Sequence, residues 1–215
     1  CELLDIQLRG AKIVLQGFGN VGGNAARLLH ERGAQIVAVG DVQASLYNPD
    51  GLDVPALLQW YSQNNTVKGF AGAETLGDGQ SVLELPCDIL IPAALGGVID
   101  AEVATRVQTR LILEAANAPT TVGGDAVLKE RGIPVVPDIL ANAGGVIVSY
   151  FEWTQNLTAF RWKVEAVHEE LRAILLQAWR EVRAVAEQHG VDMRIAAYCI
   201  ALDRVATAKR MRWLS

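Results

Sequence analysis

The segment that most constrains this chain is Gly17-Phe18-Gly19-Asn20-Val21-Gly22. It follows Lys12-Ile13-Val14-Leu15-Gln16, a short apolar run that reads as a buried strand, and opens a stretch to Glu31 whose apolar residues fall at helical spacing. Glycine spacing alone means little in a chain with 20 glycines, but here the flanking elements give each glycine a role. Gly17 makes the tight turn, Gly19 lets a phosphate approach the backbone, and Gly22 lets helix and strand pack closely. The first turn of the helix then offers unpaired N–H groups and a partial positive charge to an anion. A glycine turn that only joins strand to helix is the plainer alternative, and it stays open.

Residues 34–39 read as a second strand, entered through Gly33 and ending on Asp41. Asp41 stands about 20 residues beyond the loop, where an acidic side chain accepts hydrogen bonds from the ribose hydroxyls of a dinucleotide. The candidates for cofactor contact are therefore Gly17, Phe18, Gly19, Asn20, Val21, Gly22 and Asp41. No Lys or Arg occurs between Asp41 and Lys68, so nothing nearby in the chain is placed to neutralise a 2′-phosphate. NAD is favoured, with NADP left open.

Strand patterns recur at 88–91, 110–114 and 133–136, with helical stretches near 54–64, 100–107 and 125–131 between them. This alternation predicts an α/β, Rossmann-like doubly wound fold with a mainly parallel sheet. After Pro137 the strands stop. One helical pattern spans 161–188, with Val164, Val167, Leu171 and Ile174 on its apolar stripe, and a second begins near Asp192, a fitting N-cap. At about 1.5 Å per residue the first would be roughly 40 Å long, more than one small sheet needs, and it is expected to reach another body. The domain expectation is a core over residues 1–150 with a C-terminal helical extension over 151–215.

Composition removes other classes. The formal net charge is −5 with acidic and basic residues interspersed, so no electrostatic footprint for nucleic acid or an anionic membrane is present. Cys1, Cys87 and Cys199 form no close pair, which argues against a disulfide framework or a zinc site and for a reducing, cytoplasmic setting. No apolar run reaches the roughly 18 residues of a spanning helix. The first residue is not Met and only about ten residues precede the first strand, as expected of a piece of something longer.

Several further segments name a family. The glycine loop, Tyr47-Asn48-Pro49-Asp50-Gly51-Leu52-Asp53, Cys87-Asp88-Ile89-Leu90-Ile91-Pro92-Ala93-Ala94, Ala116-Asn117-Ala118-Pro119-Thr120-Thr121, the run from Val136 to Val146, and Ser149-Tyr150-Phe151-Glu152-Trp153 occur in this order. Together they resemble the glutamate dehydrogenase family over nearly the whole chain. The resemblance implies that Ala93 and Ala94 line the cofactor, that Asn117 meets the nicotinamide ribose, and that Asn142 lies near the nicotinamide amide. It implies further that Ser149 helps hold the substrate's side-chain carboxylate, with Val146 as a wall of that pocket. Each of these residues also has a plain structural reading, as a helix-entry turn, a loop Asn or a helix Ser bonded one turn back.

The family's catalytic lysines and aspartate come from an N-terminal domain whose motifs are missing from this sequence. None of Lys12, Lys68, Lys129, Lys163 and Lys209 is assigned catalysis, nor are His30, His168 and His189, and no metal ligands are assigned. The expectation is split: the full enzyme, a homo-hexamer by resemblance, interconverts L-glutamate and 2-oxoglutarate plus ammonia, while this piece binds nucleotide without catalysing. The rivals are a sister dehydrogenase acting on a branched-chain or aromatic amino acid, and a non-catalytic NAD-binding module.

Overall fold

The computed structural model describes residues 6–213, and these divide between Val135 and Val136 into two compact units. Residues 136–150, expected with the sheet, group with the helices that follow.

The first unit is built on a seven-stranded sheet. Along the chain it contains β1 (Lys12–Gln16), α1 (Asn20–Glu31), β2 (Gln35–Gly40), β3 (Ser45–Tyr47), α2 (Val54–Asn64) and β4 (Glu74–Leu76). It continues with β5 (Cys87–Pro92), α3 (Ala101–Arg106), β6 (Thr109–Leu113) and α4 (Val122–Glu130), and the two residues of β7 (Val135–Val136) lie on either side of the boundary. The strand order is β4-β3-β2-β1-β5-β6-β7. β1 pairs in parallel with both β2 and β5, and β5 with β6, as the alternation predicts.

Ile13, Val14 and Leu15 are all fully buried, the mark of a central strand covered on both faces. One face packs Val14, Ala38, Leu90 and Ile112 against Ala104 and Val107 of the α3 region and Leu128 of α4. Each Val, Leu or Ile side chain among them contributes about 1.5–3 kcal/mol when removed from water, so this cluster sets the strand register firmly.

Two strands depart from expectation. β3 runs antiparallel to β2, and β4 antiparallel to β3, extending the sheet past its parallel core. Both are three residues long, too short to show a period of two. Helix entries are clearer: Asp53 accepts from the Ala56 amide (3.0 Å), Asp100 from Val103 (2.8 Å) and Thr121 from Gly124 (3.0 Å).

Among its described residues the second unit holds four helices where the sequence suggests two: α5 (Asp138–Ala141), α6 (Gly144–Thr158), α7 (Val164–His189) and α8 (Met193–Trp213). α6 was hidden because it starts with two glycines and carries Val, Ile, Tyr, Phe and Trp without a clean polar stripe. α7 ends at Gly190 in the left-handed conformation (φ 64°), and Asp192 accepts from the Ile195 amide at 2.9 Å, the N-cap that its position predicts. α5 and α8 are tied by Asp138 and Arg194, 3.6 Å apart and both largely buried. Among the described residues no helix is long and apolar enough to cross a membrane.

Candidate nucleotide-binding crevice

The chain leaves β1 for β2 on one side and reaches β5 on the other, so the carboxyl ends of β1 and β5 bracket the point where strand order reverses. Open α/β sheets bind ligands at that crevice. The glycine loop lies there. Gly17 has φ 107°, and a Cβ on it would stand 2.8 Å from the Ala93 carbonyl. Its amide donates to Gly40 O at 2.7 Å, and Ala93 N to Gln16 O at 2.6 Å, pinning the loop between β2 and β5. A Cβ on Gly22 would collide with the Gly17 carbonyl oxygen, whereas one on Gly19 would meet nothing within 4 Å.

Gly19 is the N-cap of α1 and supplies no side-chain cap, and the first turn carries no acidic residue. The helices α2, α3 and α4 of the same unit are all side-chain capped. The first turn of α1 thus has a positive end-charge and no side-chain cap from Gly19 for its N–H groups. Asn20 and Val21 are exposed on that turn, while Phe18 is buried and meets Tyr61 edge-on at 5.4 Å between ring centroids. An exposed Gly19 with open space over it, a left-handed turn at Gly17 and an uncapped helix start fit the phosphates of a dinucleotide.

Asp41 follows β2 at the same edge. Its Oδ1 accepts from the amides of Gln43 (2.7 Å) and Ala44 (3.0 Å), and its Oδ2 from Thr66 Oγ1 (2.7 Å) and the Val67 amide (2.7 Å). Burial pushes its pKa up, but these four hydrogen bonds outweigh it and hold the carboxyl below its ordinary range. Beside it opens a pocket of about 230 Å³ lined by Gln16, Gly40, Asp41, Asp78, Gly79 and Ala94, among others. No Lys or Arg is in its lining.

Ala93 is half-buried and Ala94 exposed at the end of β5. The Pro92 carbonyl accepts from both Ala115 (3.0 Å) and Ala116 (2.8 Å), which brings the 115–117 loop alongside, with Asn117 exposed. Ala118 adopts φ 43°, and its carbonyl accepts from Gly97 N at 2.8 Å. The structure therefore gathers Gly17 to Gly22, Asp41, Ala93, Ala94 and Asn117 along one sheet edge.

Three candidates belong to the second unit. Asn142 is the C-cap of α5, its amide bonded to Asp138 O at 3.0 Å. Val146 (70% exposed) and Ser149 lie three residues apart on α6, close to one another on its surface. Val146 also borders an apolar groove of about 490 Å³ with Ile147, Tyr150, Phe151, Trp162 and Ile174, whose lining does not include Ser149.

Sequence reasoning passed over Gln16, Asp78 and Gly79. Gln16 could have been noticed as the one polar residue closing an apolar strand, and Asp78 as an acid between two glycines. Glu114, fully buried at the end of β6, also went unmarked. Among the described residues no group of three or more His, Cys, Asp or Glu could hold a metal ion.

Comparison with known proteins identifies the family and the fold. A family model described as Glutamate/Leucine/Phenylalanine/Valine dehydrogenase matches residues 1–212. The glutamate dehydrogenase of Thermotoga maritima is 46% identical over 212 residues, covering 98% of this chain and 51% of that protein. The catabolic NAD-specific glutamate dehydrogenase of Bacillus subtilis is 43% identical over 208 residues, covering 96% and 48%. Among solved structures, the hetero-hexameric glutamate dehydrogenase of Thermus thermophilus in its Leu-bound form superposes with a TM-score of 0.91 at 33% identity, over 98% of this chain and 50% of that one. The chain spans about half the length of the curated relatives it matches.

Proposed function

The chain belongs to the glutamate/leucine/phenylalanine/valine dehydrogenase family, and we propose that it is the nucleotide-binding part of an NAD-dependent glutamate dehydrogenase. The single observation that carries this is the uncapped start of α1 behind the left-handed turn at Gly17, on the sheet edge that also holds Asp41, Ala93, Ala94 and Asn117. When bound, NAD supplies the hydride acceptor for oxidative deamination of L-glutamate to 2-oxoglutarate and ammonia. The α1 amides hold its pyrophosphate, Phe18 and Gly22 set the loop, and Ala93 and Ala94 flank the cofactor closely because they carry almost no side chain. The family resemblance assigns Asn117 to the nicotinamide ribose and Asn142 to the nicotinamide amide.

Ser149 donates to the substrate's side-chain carboxylate and Val146 walls that pocket. Ser149 is exposed on α6, and a hydroxyl donor there favours a dicarboxylate because only a side-chain carboxylate accepts its hydrogen bond. The substrate-polarising lysines belong to the other half of the whole protein, a cytoplasmic homo-hexamer on this reading, so this chain alone binds cofactor without turning over glutamate. NAD over NADP is supported by the absence of cations in the pocket beside Asp41 and by the NAD-specific name of the B. subtilis relative.

The test is a fluorescence titration of the 215-residue chain with NADH, repeated with Gly19→Val. Saturable binding that the variant loses while keeping its cooperative melt is expected; a folded chain that binds no dinucleotide overturns the proposal.

A further inference from the structure

A charged carboxylate offers about four acceptor positions. In Asp41 all four are taken by its own chain, two by the Gln43 and Ala44 amides and two by Thr66 Oγ1 and the Val67 amide. Such charge-assisted bonds are strong, so a ribose that claimed Asp41 would have to break the ties that shape the β2–β3 turn.

A second carboxylate lines the same pocket. Asp78 Oδ1 accepts from the amides of Gln80 (3.0 Å) and Ser81 (3.2 Å) and more weakly from Ser81 Oγ (3.3 Å), which fixes the plane of the carboxylate. Its Oδ2 makes no hydrogen bond among the described residues, and the side chain is exposed.

The backbone holds Asp78 at this place. Gly79 packs on the Asp41 carbonyl, and Gly40 on the Gly79 carbonyl, so closely that a Cβ on either glycine would collide with it. Ser45, fully buried, adds a hydrogen bond from Oγ to the Asp78 carbonyl. The loop is thus seated on the end of β2.

An independent sign points to a ligand. Gln16 lines the pocket, is only 5% exposed, and its Oε1 has no hydrogen-bond partner among the described residues. A buried acceptor without a donor carries a desolvation penalty that a hydroxyl- or amine-bearing ligand relieves.

We propose that Asp78 accepts the hydrogen bonds of the adenosine ribose hydroxyls and discriminates NAD from NADP, while Asp41 is the positioning residue that shapes the turn beside it; this rests on the cofactor reading above. A 2′-hydroxyl donates to Asp78 Oδ2, whereas a 2′-phosphate brings about two negative charges to a pocket with two carboxylates and no cation in its lining.

The test uses Asp78→Asn, which keeps an oxygen for the Gln80 and Ser81 amides and replaces the free acceptor with a donor, and Asp78→Ser as a second variant that can still cap the turn. NADH and NADPH are each titrated into the wild-type chain, both variants and Asp41→Asn, with thermal melts alongside. The expected result is that both Asp78 variants melt like wild type, bind NADH about tenfold more weakly and hold NADPH as well or better, raising the NADPH-to-NADH affinity ratio at least about tenfold. Asp41→Asn is expected to lower the melting temperature and weaken both cofactors in parallel.

The proposal is overturned if folded Asp78 variants keep the wild-type ratio within about twofold, or if Asp41→Asn alone shifts it. Wild-type chain that is folded yet binds neither dinucleotide fails the underlying cofactor reading as well, which separates that result from the other two.

Discussion

The α-carbon of Gly22 lies so close to the carbonyl oxygen of Gly17 that any side chain on it would overlap that oxygen, while the space over Gly19, three residues earlier, is open. Two glycines of one motif therefore serve different links of the chain from sequence to function. Gly22 lets α1 pack on the turn that leaves β1, a matter of stability; Gly19 leaves room for a ligand.

Gly22→Ala forces backbone apart in a packed region and should cost about 1–3 kcal/mol or more. Gly19→Ala keeps an allowed backbone (φ −75°) and changes only the cap, worth about 1 kcal/mol at most, but fills the space a pyrophosphate would take. Denaturant unfolding should thus rank Gly22→Ala well below Gly19→Ala in stability, and NADH titration should find Gly19→Ala folded but unable to bind. Equal stabilities would contradict the packing role given to Gly22.

Asp41 makes stability depend on pH in a defined direction. Burial raises its pKa, but the hydrogen bonds from Thr66, Val67, Gln43 and Ala44 lower it further, so the native value lies below the ordinary one near 3.8. A group with a depressed native pKa contributes its stabilisation fully above the unfolded value and loses it as pH falls through the native value. Wild type should therefore exceed Asp41→Asn in stability at about pH 7, with the gap closing below about pH 3.8. A gap that stays constant into acid would show that the carboxylate's charge contributes nothing.

The sheet's parallel core was legible because β1, β2, β5 and β6 are apolar runs separated by helical periods, and parallel strands buried on both faces need such runs. β3 and β4 left no trace, since three residues cannot show alternation and their pairing is decided by the 77–81 loop that docks on β2. The same cause hid Asp78: its place in the pocket depends on the close approach of Gly79 to Asp41, a tertiary contact that no local spacing encodes. The glycine loop could be read because its function is local, three glycines between one strand and one helix. α6 went unseen because tertiary packing, with Phe151 buried against Trp162 at 5.3 Å, overrides its glycine-rich start.

Cys87 and Cys199 should differ in reactivity. Burial pushes the Cys87 thiol up to about 11; the neighbouring Asp88 carboxylate adds to the rise, and bonds with Thr109 and the Val14 backbone offset it only partly. Cys199 is exposed on α8. Since the thiolate is the nucleophile, iodoacetamide at about pH 8 should label Cys199 at least tenfold, roughly, before Cys87. Peptide mapping by mass spectrometry follows both, and comparable rates would mean that the start of β5 opens in solution.

Ala118 is the remaining test of how the crevice is held. It adopts φ 43° immediately before Pro119, although L-residues disfavour the left-handed region by about 1–2 kcal/mol and a following proline pushes its predecessor towards extended backbone. The conformation is held by the 2.8 Å bond from Gly97 N to the Ala118 carbonyl and by Ile99 N to Pro119 O at 2.9 Å, which lock the loop after β5 onto the loop after β6. Glycine at this position removes the steric cost but raises the entropy of the unfolded chain by about 0.4–1 kcal/mol. Ala118→Gly should therefore stabilise the protein by a net of about 0.5–1 kcal/mol, read as a higher melting temperature. Because the two loop bonds survive the change, NADH affinity should stay within about twofold of wild type. A lower melting temperature would mean that Ala118 carries no steric cost in solution, and a stabilised protein with much weaker NADH binding would mean that its methyl group, rather than the backbone bonds, keeps Asn117 in place.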